Sequence, residues 1–222
     1  MALLVLGYRW EMKKKLLAVL GFVLLSAGAW EIATAQTDQN QRRKAFQASK
    51  QIQSLGDFAD AVEVLQPLAD AGDELALYSI GLLYATGGDD LKQDYAKAIS
   101  YYQKGADKQH AGSMRQLGVM YDKGWGVSAN PTQASQLYES AAKRGDALAQ
   151  LIIGRMYASG QGRPKNNTEA YRWLTLAASG VFFDDETVKR DETKTALKTL
   201  VASMTPSDIN SGEKLVRESA VK

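Results

Sequence analysis

Apolar and polar positions in this chain repeat at two scales. Within short stretches, small and apolar residues recur every three or four positions, as at Ala149, Ile152, Ile153, Met156 and Tyr157. That spacing places them on one face of a helix. The stretches themselves also recur. "IGLLYATGG" (Ile80 to Gly88), "LGVMYDKGWGV" (Leu117 to Val127) and "IGRMYASGQG" (Ile153 to Gly162) align Gly81 with Gly118 and Gly154, Tyr84 with Tyr121 and Tyr157, and Gly87 with Gly124 and Gly160. The steps are 37 and 36 residues. Further along, Ala98, Ala134 and Ala170 follow the same period, as do Ala106, Ala142 and Ala178, while Ala61, Leu65 and Ala69 fall one period before Ala98, Tyr102 and Ala106. A fixed period of this length marks a stacked repeat.

Each unit predicts two helices. The first ends at a glycine such as Gly160, where a left-handed residue closes the last turn. After a short loop, Asp94, Asn130 and Asn166 stand at matching positions suited to cap the second helix. Pro131 follows Asn130 at the first helical position, where a missing N–H is tolerated. Glu169 and Gln133, three residues after their caps, are placed to complete capping boxes. The second helix carries Ala134, Leu137, Tyr138, Ala141 and Ala142 on one face. The recurrent Gly118 sits inside a helix, where glycine is unfavourable by about 1 kcal/mol against alanine. It therefore predicts close approach of a partner helix. The ends are looser. Gln39 to Ser54 and Phe58 to Ala71 predict a leading helix pair. Residues 184–204 predict a charged amphipathic helix with Leu197, Leu200 and Val201 on one face. A second helix start follows at Thr205-Pro206-Ser207-Asp208.

The quoted units closely resemble the Sel-one-like repeat, a relative of the tetratricopeptide repeat. Its pattern is roughly A-x-x-x-L-G-x-x-Y-x-x-G-x-G-V, a polar loop, then A-x-x-W-Y-x-K-A-A. The copies from Ser113 to Ala142 and from Ala149 to Ala178 follow it. The first, from Ala76 to Ala106, lacks the clean Gly-x-Gly-Val and carries one extra residue. The resemblance implies an all-α fold, a right-handed α-solenoid of antiparallel helix pairs. It would have about three and a half repeats and a C-terminal helical cap. The expected organisation is a signal peptide at 1–35, a capping helix pair at 36–71, repeats at 72–107, 108–143 and 144–180, and capping helices at 181–222. The tail "MTPSDINSGEKLVRES" is similar to the one that closes exported bacterial members.

The signal peptide rests on its own residues. Lys13, Lys14 and Lys15 form a basic start after Met12, the expected functional start. Leu16 to Ala29 is a short apolar run, and Ala33-Thr34-Ala35 is a small-x-small site before Gln36. Cleavage after Ala35 would leave no membrane span, since the run is short for a spanning helix, and would make the product periplasmic or secreted. It also changes the charge. Four of the 27 basic and two of the 25 acidic side chains lie in residues 1–35, so the remainder balances. A basic footprint for nucleic acid is absent. The chain has no cysteine, which removes thiol nucleophiles and thiolate-held metals.

Chemistry is otherwise sparse. Gly124 and Gly126 follow no strand and precede no Lys-Ser/Thr pair, so a phosphate loop is not supported. His110, the only histidine, aligns with Asp73 and Asp146 and is expected to be a solvated turn residue. The acidic run Asp184-Asp185-Glu186 reads as compensation for a helix dipole. Trp173 and the recurrent tyrosines read as core, and no cofactor or metal is expected. Positions where the repeats differ are the candidates for recognition: Tyr78, Arg115, Lys123, Trp125 and Arg155, of types that carry binding energy. Trp125 stands out, because the repeat requires no indole there. The resemblance implies a non-catalytic scaffold binding an unidentified protein or peptide partner on a concave face. The alternative is an envelope enzyme or a binder of cell-wall glycan or β-lactams, weakened because such relatives carry a cysteine pair per repeat.

Overall fold

The computed structural model describes residues 39–40, 42–50, 54, 56–180 and 186–220. Residues 1–47 and 48–222 form separate units. In the first, the described residues are helical, and the Arg42 guanidinium lies 6.0 Å from the centre of the Phe46 ring. The expected signal segment 1–35 lies outside the described residues, as do Asp184 and Asp185 of the acidic run.

The second unit is built from helices of equal length. They are α1 (Phe58–Asp70), α2 (Glu74–Thr86), α3 (Tyr95–Asp107), α4 (Ala111–Lys123), α5 (Pro131–Lys143), α6 (Ala147–Ser159) and α7 (Asn167–Ser179). Each has 13 residues, so successive copies stack in register. Two longer helices close the chain, α8 (Glu186–Val201) and α9 (Pro206–Ala220). No strand occurs among the described residues. The closest pairings are α2 with α3, α4 with α5, and α6 with α7, and each pair packs on the next through α3–α4 and α5–α6. This is an all-α helical solenoid of repeats. α1 occupies the second-helix position of a preceding half-unit, and Ala61, Leu65 and Ala69 are buried there. α8 and α9 both pack principally on α7 rather than on each other. Leu200 is buried in that contact, with Ala196, Leu197 and Met204 beside it.

The recurrent helical glycines explain the tight pairs. A Cβ on Gly81 would stand 2.5 Å from the Tyr102 ring, one on Gly118 2.9 Å from the Tyr138 ring, and one on Gly154 2.8 Å from Leu174. Tyr102, Tyr138 and Leu174 are themselves one period apart and almost wholly buried. Each glycine thus forms the socket for one large side chain of its partner helix.

All six helix starts from α2 to α7 are capped by a side chain, three of them by the expected Asp94, Asn130 and Asn166. Asp73 accepts from the N–H of Leu75 and Ala76, Asp94 from Lys97, Asn130 from Gln133, Asp146 from Ala149, and Asn166 from Glu169. His110 caps α4, with Nδ1 accepting from the Ser113 N–H at 3.1 Å. It is half-buried, which corrects the expectation of a solvated turn residue. The capping boxes are also corrected. The backbone N–H groups of Asp94, Asn130 and Asn166 donate to the carbonyls of Tyr84, Tyr121 and Tyr157, at 2.8, 2.8 and 2.9 Å. Those donors are therefore unavailable to Gln133 or Glu169, and Glu169 pairs with Arg172 instead.

Gly124 and Gly160 close α4 and α6 in the left-handed conformation, whereas Gly87 (φ 67°, ψ 172°) does not. The irregular first loop compensates. Its Asp90 carboxylate accepts from the N–H of Phe58 and Ala59, capping α1, whose own Asp57 makes no side-chain cap. Gln109 holds φ 68° where the matching residues are Gly72 and Gly145.

Candidate interaction surface

The first helices α2, α4 and α6 carry the five candidate residues or lead into them. The structure brings two of them together. The Tyr78 ring lies 5.0 Å from the His110 ring, centre to centre, and Tyr78 also stands near enough to Arg115 to influence its charge. The Arg115 Nε donates to Asp146 Oδ2 at 3.0 Å, and the two side chains are only 15% and 13% exposed. Burial, the largest influence, pulls the guanidinium down, but Asp146 and Tyr78 outweigh it and leave Arg115 above its ordinary range. Asp146 meanwhile caps α6 through its other oxygen. One chain of contacts thus links α2, α4 and α6, and Arg115 faces Asp146 more than solvent.

Lys123, Trp125 and Arg155 are open. Lys123 is 58% exposed, with Asp122 at 3.7 Å. Arg155 is about half exposed and reaches Glu192 of α8 at 3.4 Å. Trp125 is 43% exposed. One face of its indole stacks on Tyr95, with ring centres 5.4 Å apart and planes 14° apart. Its counterpart one period later, Gln161, bonds to Asp122 at 3.1 Å. In both copies the residue between the two loop glycines reaches back to the preceding repeat. The second glycine permits this: a Cβ on Gly126 would collide with Tyr95, and one on Gly162 with Pro131, each the first residue of the preceding unit's second helix.

Residues not singled out in the sequence complete the picture. Arg163 stands where the preceding copy has Val127. Its guanidinium lies 4.0 Å from the centre of the Tyr157 ring, bonds Glu139 at 2.8 Å, and donates to the Ser135 hydroxyl and carbonyl. Burial raises the Glu139 carboxyl, but hydrogen bonds from Lys143 and Arg163 outweigh this and hold it below its usual range. The departure from the repeat at this position was the available signal. Where α6 and α7 meet α8, a groove of about 820 Å3 opens, and Arg155 is the one candidate residue that lines it.

The Sel1 repeat pattern matches residues 75–110, 111–146 and 147–180. A Sel1 repeat protein of known structure from Oxalobacter formigenes is 31% identical. The match covers 61% of this chain and 95% of that one, with a TM-score of 0.52. The chain belongs to the Sel1 repeat family. The family units at 111 and 147 begin at the first residues of α4 and α6. A protective antigen present in uropathogenic Escherichia coli strains, displaying an SLR fold, shares 18% identity over 77% of this chain and 43% of its own length, with a TM-score of 0.52, and is similar in fold. An ERAD-associated E3 ubiquitin-protein ligase component of Arabidopsis thaliana is 32% identical over 114 residues, 51% of this chain. The chain spans less than a fifth of that relative's length. Sel1 repeat proteins act in general as protein-interaction scaffolds. Among the described residues no helix is long and apolar enough to cross a membrane.

Proposed function

We propose that this Sel1 repeat chain is a non-catalytic scaffold of the bacterial cell envelope that holds a protein or peptide partner on the side formed by α2, α4 and α6. The observation that carries the reading is the division of labour within these helices. Gly81, Gly118 and Gly154 repeat because each receives a partner side chain. Leu82, Val119 and Arg155, one residue further on, differ in every copy and are not fully buried. Repeat arrays present such variable positions on an extended surface. Export follows from the basic, apolar and small-x-small order of residues 12–35, which supports a periplasmic or secreted location.

Crosslinking of the tagged protein in intact cells, followed by mass spectrometry, tests both parts. A single dominant protein partner is expected, released when Lys123 and Arg155 are both changed to Glu. Recovery of the protein in the cytoplasm with residues 12–35 retained would remove the envelope from the proposal. A glycan partner is favoured by one feature, the open face of Trp125. Sedimentation with purified peptidoglycan, abolished by Trp125→Ala, would replace the protein partner with that one.

A further inference from the structure

The groove between the last repeat and α8 has two chemically different walls. On one side stand Arg155, near the end of α6, and Lys165, in the loop before α7. Guanidinium and ammonium groups only donate hydrogen bonds. The other wall is a row of oxygens along α8 and the turn after it, from Asp191 and Glu192 through Thr195 and Thr199 to Ser203. The Thr199 hydroxyl already donates to the Thr195 carbonyl at 2.9 Å, and that of Ser203 to the Leu200 carbonyl at 2.7 Å. Their lone pairs remain to accept. Asn167, the first residue of α7, also lines the groove. Ala158, Ala196 and Leu200 supply apolar lining between the walls.

An extended peptide fits this division. Its N–H groups on one edge recur every second residue, about 6.7 Å apart. Oxygens four residues apart on a helix recur about every 6 Å. The lining from Asp191 to Ser203 covers about 18 Å at helical rise, the length of five or six extended residues. The carbonyls on the opposite edge would face the donors Arg155 and Lys165.

Charge selects among peptides. Asp191 lies 3.9 Å from Lys194, and Glu192 pairs with Arg155. Lys165 lines the groove with no carboxylate partner among the described residues. The Arg155–Glu192 pair joins the two walls at 3.4 Å, but its side chains are 49% and 37% exposed. An ion pair so open to water is weak and easily exchanged.

We propose that this groove binds an extended internal segment of a partner protein, five or six residues long, with an Asp or Glu side chain opposite Lys165. The proposal deepens the scaffold reading and rests on it for the partner being a protein.

The test uses the full chain and a positional library of fluorescein-labelled heptapeptides, each made with an amidated and with a free C-terminus, read by fluorescence anisotropy. Selection of Asp or Glu at one position is expected. Lys165→Glu should weaken the selected peptide at least tenfold, and Thr199→Val should weaken it severalfold. Glu192→Gln, which releases Arg155, should tighten it. Thermal melting of each variant verifies that it folds. Unchanged affinity in Lys165→Glu, or binding only by peptides with a free C-terminal carboxylate, overturns the assignment. If cells yield a crosslinked protein partner while no heptapeptide binds, the groove fails and the scaffold stands. If the selected heptapeptide binds as stated but no partner is captured in cells, the groove's peptide specificity stands, while the scaffold reading and with it the protein partner fail.

Discussion

His110 stands where the neighbouring repeats have Asp73 and Asp146, and it does their work with a titratable nitrogen. Nδ1 can accept the Ser113 N–H only while it is unprotonated. Burial, the largest influence, lowers its pKa below the usual 6.5, and Arg115 acts in the same direction, against the opposing pull of Glu74, Asp146 and Asp73. A base that is harder to protonate in the folded state than in the unfolded one contributes its stability fully above the unfolded pKa. That contribution declines as pH falls below about 6.5 toward the lower folded value. The melting temperature should therefore drop between pH 7 and pH 5 in the native chain. It should drop less in His110→Asn, which keeps a cap acceptor and loses the titration. Equal slopes for the two proteins in calorimetry would show that the cap is not the source. At this scale the sequence placed His110 in the right column of the repeat but not in the right environment. The ring is covered by Tyr78, from a helix more than 30 positions away.

The elements were the most legible part of the molecule. Helix ends follow from groups within four residues of each other, and Asp94, Asn130 and Asn166 cap the helices they were expected to cap. The capping boxes failed for a reason that no local window contains. The donors they needed are claimed by the carbonyls of Tyr84, Tyr121 and Tyr157, across the loop. The helical glycines were legible in kind, since only a packing need explains glycine recurring inside a helix. The residue filling each socket was not. Gly118→Ala should destabilise the chain by roughly 1–3 kcal/mol, as overpacking does, because its methyl would press on the Tyr138 ring. Pairing it with Tyr138→Leu should recover part of the loss in urea titration, since the added methyl then faces a smaller and more pliable side chain. Independent, additive effects of the two changes would contradict the socket.

At the scale of the repeat array, neighbouring units share a continuous apolar core and are joined besides by few but specific polar bonds. Arg115 joins α4 to the Asp146 cap of α6, and Arg163 joins the third repeat's loop to Glu139 and Ser135 of α5. In a repeat array, stability is the sum of unit terms and nearest-neighbour interfaces. Arg115→Ala removes a charge-assisted hydrogen bond of about 1.5–3 kcal/mol at one such interface. We expect a lower urea midpoint and separate opening of α6 to α9, visible as earlier hydrogen exchange there than in α1 to α3. An unchanged midpoint with one cooperative transition would mean that Arg115 is not a tie between repeats. Its effect on partner binding is then best measured after stability is matched, because Arg115 serves the array as well as the surface.

By itself the sequence determined the period, the two helices per unit, the caps of each second helix and the need for close packing at three glycines. These depend on the spacing of residue types along the chain, and repetition displays that spacing three times over. Only the tertiary structure decided which of the variable positions are free. Tyr78 and Arg115 look as available in the sequence as Lys123 and Arg155, yet Arg115 is bound to a carboxylate 31 residues away and Tyr78 is packed beneath it. Trp125, unaccounted for by its sibling repeats, rests one face on Tyr95 and leaves the other open. The groove beside α8 lies only half within the repeat, because its far wall comes from a helix with no counterpart in the three copies. Exposure and partnership are properties of surfaces brought together by folding, and periodicity fixes only which surfaces are made.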